Sequence, residues 1–242
     1  MVATESGTWE RRVRILFWII GLSTGAVLAY TTRFYLNGDG INYIEMGDAL
    51  RDGVWSGLVN TTESPGYAFL LGIGHLLLGT TVLTELPLLK AVNVVCFAMA
   101  MAACDLFVRT LRTDVTALET DSETPQPFAV ISALTYAVFL YLALAWVRVR
   151  LVAPDMLVFA LFILAMVFVL RIRRNPDSYA NFVGLGASTG LCYLAKSFFF
   201  PFSVFIFALA ASVTCSLGKA TPRIALAAGV MLLVASPLLI GL

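Results

Sequence analysis

The sequence predicts an all-α fold, a polytopic transmembrane helical bundle with about seven spans. Two features of the composition favour this class. Of the 242 residues, 60% are apolar and 13% are charged, whereas roughly a quarter of the residues in a soluble domain are charged. The mean hydropathy is +0.89, and several apolar runs approach the roughly 20 residues that a helix needs to cross a membrane. We therefore expect one transmembrane domain over residues 1–242.

The charges and cysteines exclude several other classes. Lys and Arg number 16 against 15 Asp and Glu, a formal charge of +1, so the chain has no basic surplus for nucleic-acid binding. All four cysteines lie in apolar runs, where we interpret them as small buried side chains and not as disulfides or zinc ligands. The sequence assigns no metal-binding residue and leaves a divalent metal requirement open.

Seven apolar runs are the predicted spans, at residues 13–31, 88–108, 128–147, 153–170, 181–195, 198–217 and 224–242. The first run lacks a small-x-small cleavage site, so we expect a retained anchor and not a signal peptide. Residues 66–79 are also apolar, but this segment has only 14 residues, is broken by glycines and contains His75. Such a length suits an interfacial or re-entrant helix.

The distribution of basic residues predicts the orientation. If residues 66–79 do not cross the membrane, ten of the 16 basic residues lie inside, against seven if they do. The positive-inside rule then places the N-terminus in the cytoplasm of a plasma or inner membrane and residues 32–87 outside. Residues 109–127, rich in Thr, Asp and Glu, are expected to be a flexible cytoplasmic loop. Because the chain ends within an apolar run, we interpret it as the N-terminal part of a longer polypeptide.

The outer loop contains a second interfacial helix after a flexible turn. Its apolar face is formed by Tyr43, Met46 and Leu50, at helical spacing. With residues 66–79 it would form a pair of interfacial helices on the membrane surface. Asp39 would lie just before this helix, where capping and the helix dipole favour an acid. Residue chemistry alone leaves a structural and a catalytic role for Asp39 open.

A second polar group is expected at the same depth, at the outer ends of later spans. Its members are Arg148, Arg150, Asp155 and Lys196. Because a charge at mid-membrane costs on the order of 3 kcal/mol, such residues usually face water, a partner or an anionic ligand. Arginine and lysine suit a phosphate group. In the alternative interpretation, the two arginines reach lipid headgroups and Arg150 pairs with Asp155.

The order of these motifs resembles the N-terminal half of the GT-C glycosyltransferases, the group of dolichyl-phosphate-mannose protein mannosyltransferases and aminoarabinose transferases. The resemblance depends on Asp39 and Tyr43 in the first outer loop, on Ser64-Pro65-Gly66-Tyr67, on Arg150-x-x-Ala153-Pro154-Asp155, and on Gly190-Leu191-Cys192-Tyr193-Leu194-Ala195-Lys196. No single motif is specific, and the match covers about residues 15–201. Many relatives have a lysine where Ser64 stands and a second proline where Gly66 stands.

The resemblance implies an inverting glycosyltransferase that moves a sugar from a polyprenyl-phosphate donor to a lipid, glycan or protein acceptor outside the cell. By position, Asp39 would be the catalytic base, and Asp155 would orient the cations or the acceptor. The residues that would bind the donor are Arg148, Arg150 and Lys196 at its phosphate, with Tyr43 as a hydrogen-bond donor.

Two other functions fit the same sequence. The first is a non-catalytic membrane subunit, or lipid-phosphate-binding module, that keeps the outer cations without an active site. The second is a transporter or channel, which the spans do not favour, because none has paired charges near its middle or the broken form of a substrate site. Three further ionisable residues receive no functional role: His75 is expected to be a satisfied or interfacial histidine, and Glu63 and Glu85 solvated loop acids.

Overall fold

The structure, a computed structural model, describes residues 2–58, 63–81, 83–119, 128–214 and 217–241. Within these ranges the chain forms helices and no strand. The α-helices are α1 (Val2–Thr31), α2 (Gly38–Arg51), α3 (Pro65–Leu78), α4 (Glu85–Glu119), α5 (Phe128–Tyr141), α6 (Asp155–Arg174), α7 (Tyr179–Ala195), α8 (Phe200–Ser212) and α9 (Leu217–Gly241). Short 3-10 turns cover Trp55–Leu58 and Ser197–Phe199, and a π-helical segment, Leu142–Val147, extends α5.

In the described part of the chain, five helices are long and apolar enough to cross a membrane. They are Thr8–Thr31, Glu85–Thr113, Phe128–Val147, Asp155–Arg174 and Ala220–Ile240. Each contains most of one predicted span, which supports a helical membrane protein. The other two predicted spans, 181–195 and 198–217, coincide largely with α7 of 17 residues and α8 of 13 residues, both shorter than the roughly 20 residues of a full crossing. The glycine-rich segment forms α3, which has 14 residues.

Helix α4 lies at the centre of the bundle. Helix α4 packs on α1, α3, α5 and α6, while α7 packs on α6 and α9. Aromatic rings fill the interface between α1 and α5, where Phe17 stacks on Tyr136 with ring centroids 4.2 Å apart. The interfacial helices α2 and α3 pack on each other, and the face of α2 formed by Tyr43, Met46 and Leu50 is buried, as the pattern predicted.

Arginines and their partners gather at one end of the bundle. Arg112 of α4 pairs with Glu10 of α1 at 2.6 Å, and Arg174 of α6 donates to the carbonyl oxygen of Thr110 at 2.7 Å. Arg223 of α9 pairs with an acid before α7. This arginine-rich end contains the residues that the positive-inside rule places in the cytoplasm.

The predicted flexible loop at residues 109–127 is helical in its first part, because α4 continues to Glu119. Two contacts explain the longer helix. Leu111 packs against the core, and the ion pair between Arg112 and Glu10 ties this turn of α4 to α1. The remaining residues of the predicted loop, 120–127, lie outside the described residues.

Candidate functional site

At the other end of the bundle, buried polar side chains hold the backbone of the loop at residues 148–154, between the π-helical segment and α6. Asn93 of α4 donates to the carbonyl oxygens of Val149 at 3.0 Å and Leu151 at 2.6 Å. One turn away, the Lys90 ammonium donates to the carbonyl oxygen of Arg150. Because each carbonyl has a partner, the loop can lie against α4 without unsatisfied backbone groups.

The linker before α2 contacts the same loop. The Asn37 side chain donates to the carbonyl oxygen of Val152 at 3.2 Å and accepts from the Val152 N–H at 2.8 Å. These two hydrogen bonds join the start of α2 to the start of α6, although the residues are 115 positions apart. The N-terminus of α2 therefore has a fixed position beside Asp155.

Asp39 is exposed in the first turn of α2, and not before the helix as the sequence suggested. The N-cap is Asn37, whose side chain bonds to Val152 instead of capping the helix. The helix dipole still favours an acid at position 39. Within the described ranges, the Asp39 carboxylate forms no ion pair or hydrogen bond, so it is open to solvent and to a substrate.

Lys196 and Asp155 form an ion pair with Nζ and Oδ1 2.6 Å apart. The pair joins the residue after α7 to the first residue of α6, and about half of each side chain is exposed. The alternative pairing of Arg150 with Asp155 does not occur. One residue further on, the N–H of Ser197 donates to the Ser64 hydroxyl at 2.7 Å, which attaches the start of α3 to the same turn.

Tyr43 is a buried residue of α2 on which the charges of Asp39 and Asp155 act. Its side chain is 3% exposed, and its hydroxyl donates to Oε2 of Glu63 at 2.5 Å. Burial, the hydrogen bond to Glu63 and the nearby charges of Asp155 and Asp39 raise the pKa of the Tyr43 phenol well above its ordinary value. Tyr43 is therefore a neutral hydrogen-bond donor. Glu63 is not the solvated loop acid expected from the sequence, because it is half-buried and accepts this bond.

Arg148 and Arg150 are at the same end, and both are exposed. Arg148 has the left-handed φ of 61°, which ends the π-helical segment and turns the chain. Its Nε lies 3.4 Å from the carbonyl oxygen of Ala145. The two guanidinium groups thus remain available to water, headgroups or a phosphate.

An apolar cavity of about 650 Å³ lies between the helices, and neither Asp155 nor Lys196 lines it. Side chains of α3, α4, α6, α7 and α9 line it, together with Trp55 and Leu58 of the outer loop. Three lining residues are close to the polar cluster in sequence: Pro65 follows Ser64, Leu157 is two residues after Asp155, and Leu194 is two residues before Lys196. The apolar cavity therefore reaches the helix ends that carry Ser64, Asp155 and Lys196, although no charged side chain lines it.

We call Asp39, Tyr43, Asp155 and Lys196 the candidate cluster, because Asp155 pairs with Lys196 and the charges of Asp155 and Asp39 act on Tyr43. Arg148 and Arg150 are exposed in the loop before Asp155. Sequence reasoning missed the groups that hold this cluster: Asn37, Glu63, Ser64, Lys90 and Asn93. Lys90 and Asn93 did carry a signal, since two polar residues three positions apart inside a predicted span mark a functional or structural contact. No family model, curated protein or solved structure matches the chain, so the motif resemblance has no counterpart in these comparisons.

Proposed function

We propose that this chain is a membrane glycosyltransferase that transfers a sugar from a polyprenyl-phosphate donor to an acceptor on the extracytoplasmic face. The observation that supports it most is the 650 Å³ apolar cavity, which reaches the helix ends that carry Lys196 and Asp155. A ligand that suits such an arrangement has an apolar chain attached to an anionic head. A polyprenyl phosphate has this form.

The cavity suits the lipid chain of the donor. Its lining is almost entirely apolar, and three of the helices that line it, α4, α6 and α9, are long and apolar enough to cross a membrane. Each buried methylene of a bound chain contributes about 0.8 kcal/mol. The cavity holds part of a long polyprenyl chain, and the rest would extend along the exposed apolar surface of the bundle.

The cations suit the phosphate of the donor. Lys196 supplies a point charge at a helix end that the cavity reaches, and the exposed Arg148 and Arg150 supply planar groups with several N–H donors. Asp155 holds the Lys196 ammonium in place before the donor binds. When the phosphate leaves, these groups stabilise the charge that develops on it.

Asp39 is the candidate base. Its exposed carboxylate would take the proton from an acceptor hydroxyl or amide while the acceptor atom attacks the anomeric carbon. The bond from that carbon to the phosphate oxygen breaks, and the lipid phosphate leaves with the electron pair. Attack from the face opposite the phosphate inverts the anomeric centre. A positioned base contributes typically about 10² to 10⁴-fold in rate.

A second function, a lipid-phosphate-binding module without catalysis, is favoured by one observation. Lys196 is already paired with Asp155, and the cavity that reaches the same helix ends suffices to bind a lipid phosphate. This second function predicts donor binding that does not depend on Asp39 and is not followed by transfer.

The test is sugar transfer by the purified full chain in lipid nanodiscs, with a panel of radiolabelled polyprenyl-phosphate sugars and membrane-extract acceptors. We expect transfer by the wild type and loss of transfer in Asp39→Asn, with donor binding retained. The matched control is Glu45→Gln, which changes an exposed acid on the same helix and should leave the rate unchanged. Donor binding by all three proteins without transfer by any would contradict the transferase and support the binding module.

A further inference from the structure

Three ligand-type side chains from three helices meet at the outer end of the molecule, apart from the cluster described above. They are Asp48 of α2, His75 of α3 and Glu85 in the first turn of α4. One carboxylate oxygen of each acid and one ring nitrogen of the histidine all lie within 4.8 Å of one another. In the part of the chain that the structure describes, this is the one such group of three or more.

The close approach of α2 and α3 produces this arrangement. Gly72 of α3 lies against Gly47 of α2, and a Cβ at position 72 would be 2.9 Å from the Gly47 carbonyl oxygen and 2.7 Å from Cβ of Leu50. Only a residue without a Cβ allows the two helices to lie this close. Asp48 therefore reaches His75, one turn along α3 from Gly72.

One ring nitrogen of His75 has no hydrogen-bond partner among the described residues. The residue is 1% exposed, and its Nδ1 forms a hydrogen bond with the Thr80 hydroxyl. Nε2 is buried and has no hydrogen-bond partner in the described residues. If Nδ1–H donates to Thr80, Nε2 presents its lone pair. A metal-binding histidine usually has this arrangement, with its second nitrogen donating to an oxygen.

Asp48 has a buried carboxylate oxygen whose partner is a cation. Its Oδ1 lies 2.7 Å from an Arg51 nitrogen as an ion-pair partner. Within the described residues, Nε2 of His75 is therefore the ligand atom of this group that is buried without a partner. Buried unsatisfied atoms are rare in native proteins and require an explanation.

We propose that Asp48, His75 and Glu85 bind a divalent cation of the zinc type. One imidazole nitrogen and two carboxylate oxygens are ligands that Zn²⁺ accepts at about 2.0–2.2 Å, with a fourth position left for water. Hard cations such as Mg²⁺ prefer oxygen ligands alone and fit this group less well. Binding draws the three ligand atoms closer together than 4.8 Å, through rotation of the side chains.

Arg51 is the competitor for this site. Its guanidinium lies 2.7 Å from Asp48 and 2.9 Å from Asp52, and its positive charge also acts on Glu85. Without a metal ion, Arg51 balances part of the negative charge of the two acids. When a cation binds, the guanidinium keeps Asp52 as its partner. Removal of Arg51 should therefore strengthen metal binding, whereas a purely structural ion pair predicts no such gain.

The cation would fasten α2 to α3 and α4. Helix α2 contains Asp39 and Tyr43, so the metal site would stabilise the helix on which the candidate base lies. This inference does not depend on the proposed transfer reaction, and the test below has no activity readout.

The test is Zn²⁺ binding by the full chain, purified in detergent and stripped with EDTA. After Zn²⁺ is added back and the excess is removed, we expect one Zn²⁺ per chain by mass spectrometry of the metal content. In calorimetric titrations, Glu85→Gln should bind at least about tenfold more weakly, as should His75→Gln. Arg51→Gln should bind more tightly, Glu45→Gln should match the wild type, and Mg²⁺ should bind far more weakly than Zn²⁺.

Thermal unfolding provides the second readout. Zn²⁺ should raise the unfolding temperature of the wild type and not that of Glu85→Gln. Because Glu85 is only partly buried, this variant keeps the test valid if His75→Gln fails to fold. Equal Zn²⁺ affinity in the wild type and Glu85→Gln, or weaker binding in Arg51→Gln, would overturn the proposal.

Discussion

Lys196 is a charged residue at a helix end whose ammonium has a partner and remains partly exposed. Its ammonium is 2.6 Å from Asp155, yet the side chain stays 46% exposed. An exposed ion pair contributes at most about 1 kcal/mol, so the partner exchange that phosphate binding requires has little energetic cost. The pair therefore positions the cation more than it stabilises the fold.

Replacement of Lys196 by alanine should weaken the binding of polyprenyl phosphate by about ten- to a hundredfold, since a charge-assisted hydrogen bond contributes about 1.5–3 kcal/mol. The measurement is the dissociation constant in nanodiscs. The control is Arg173→Ala, which removes an exposed cation from the other end of α6. If Lys196→Ala binds polyprenyl phosphate with unchanged affinity, Lys196 does not contact the phosphate.

Asn93 illustrates the opposite case, a buried polar residue whose role is to hold backbone. It is 2% exposed, donates to two carbonyl oxygens of the loop before α6, and accepts from the Tyr67 hydroxyl. Truncation leaves all three partners unsatisfied in the interior.

We expect Asn93→Ala to lower the free energy of unfolding by about 2–4 kcal/mol, from the partners left unpaired. Denaturant titration in micelles measures this free energy of unfolding. Asn42→Ala changes an exposed residue and should stay within about 0.5 kcal/mol of the wild type. Equal stability of the two variants would show that the loop does not depend on Asn93.

At the scale of elements, the contact between the start of α3 and the end of α7 forms one wall of the apolar cavity. Gly66 lies in this contact, and a Cβ there would be 2.8 Å from the carbonyl carbon and oxygen of Leu194. These are backbone atoms, which cannot rotate away. The glycine therefore sets how closely α3 approaches α7.

The substitution Gly66→Ala should force α3 away from α7, lower the unfolding free energy by about 1–3 kcal/mol and weaken donor binding. Gly229→Ala is the matched control, because a Cβ at position 229 of α9 meets nothing within 4 Å. That control should be neutral or slightly stabilising, since alanine is the better helix former. Both effects can be measured by thermal unfolding and by donor titration. If Gly66→Ala behaves like its control, the contact does not shape the cavity.

Sequence alone could predict most of the helices, because long apolar runs and their flanking charges determine where a membrane helix begins and ends. Tertiary contacts decide the rest. The apolar runs at 181–195 and 198–217, predicted as spans, form α7 of 17 residues and α8 of 13 residues. Helix α4 continues into the predicted loop, where Leu111 packs against the core and Arg112 pairs with Glu10.

The position of the candidate residues at helix ends was predictable for the same reason. Asp39 lies in the first turn of α2, Asp155 is the first residue of α6, and Lys196 follows α7. The partner of each residue was not predictable, because Tyr43 with Glu63 and Asn37 with Val152 are pairs formed by loop paths. Asp48, His75 and Glu85 follow no ligand spacing, so only the packing of three helices brings them together.

At the scale of the whole molecule, the two ends differ in their charged side chains. One end has the arginine-rich contacts of α1, α4, α6 and α9, and the other has the ion pair and the exposed Asp39. The positive-inside rule then predicts that the cluster faces the extracytoplasmic side.

Cysteine labelling tests this orientation. In a background with Cys215 replaced by serine, the other three cysteines are buried and should not react. A membrane-impermeant maleimide added to intact cells should label Glu45→Cys and not Arg173→Cys, both at exposed positions. Labelling of Arg173→Cys alone would indicate the opposite orientation in the membrane.

In the proposed reaction, the cluster catalyses sugar transfer with Asp39 as its base. The most direct measurement compares initial rates of transfer from radiolabelled polyprenyl-phosphate sugars for the wild type, Asp39→Asn and Glu45→Gln, each reconstituted in nanodiscs. We predict that Asp39→Asn loses about 10² to 10⁴-fold in rate and retains its affinity for the donor, while Glu45→Gln matches the wild type. Transfer by Asp39→Asn at the wild-type rate would contradict the account.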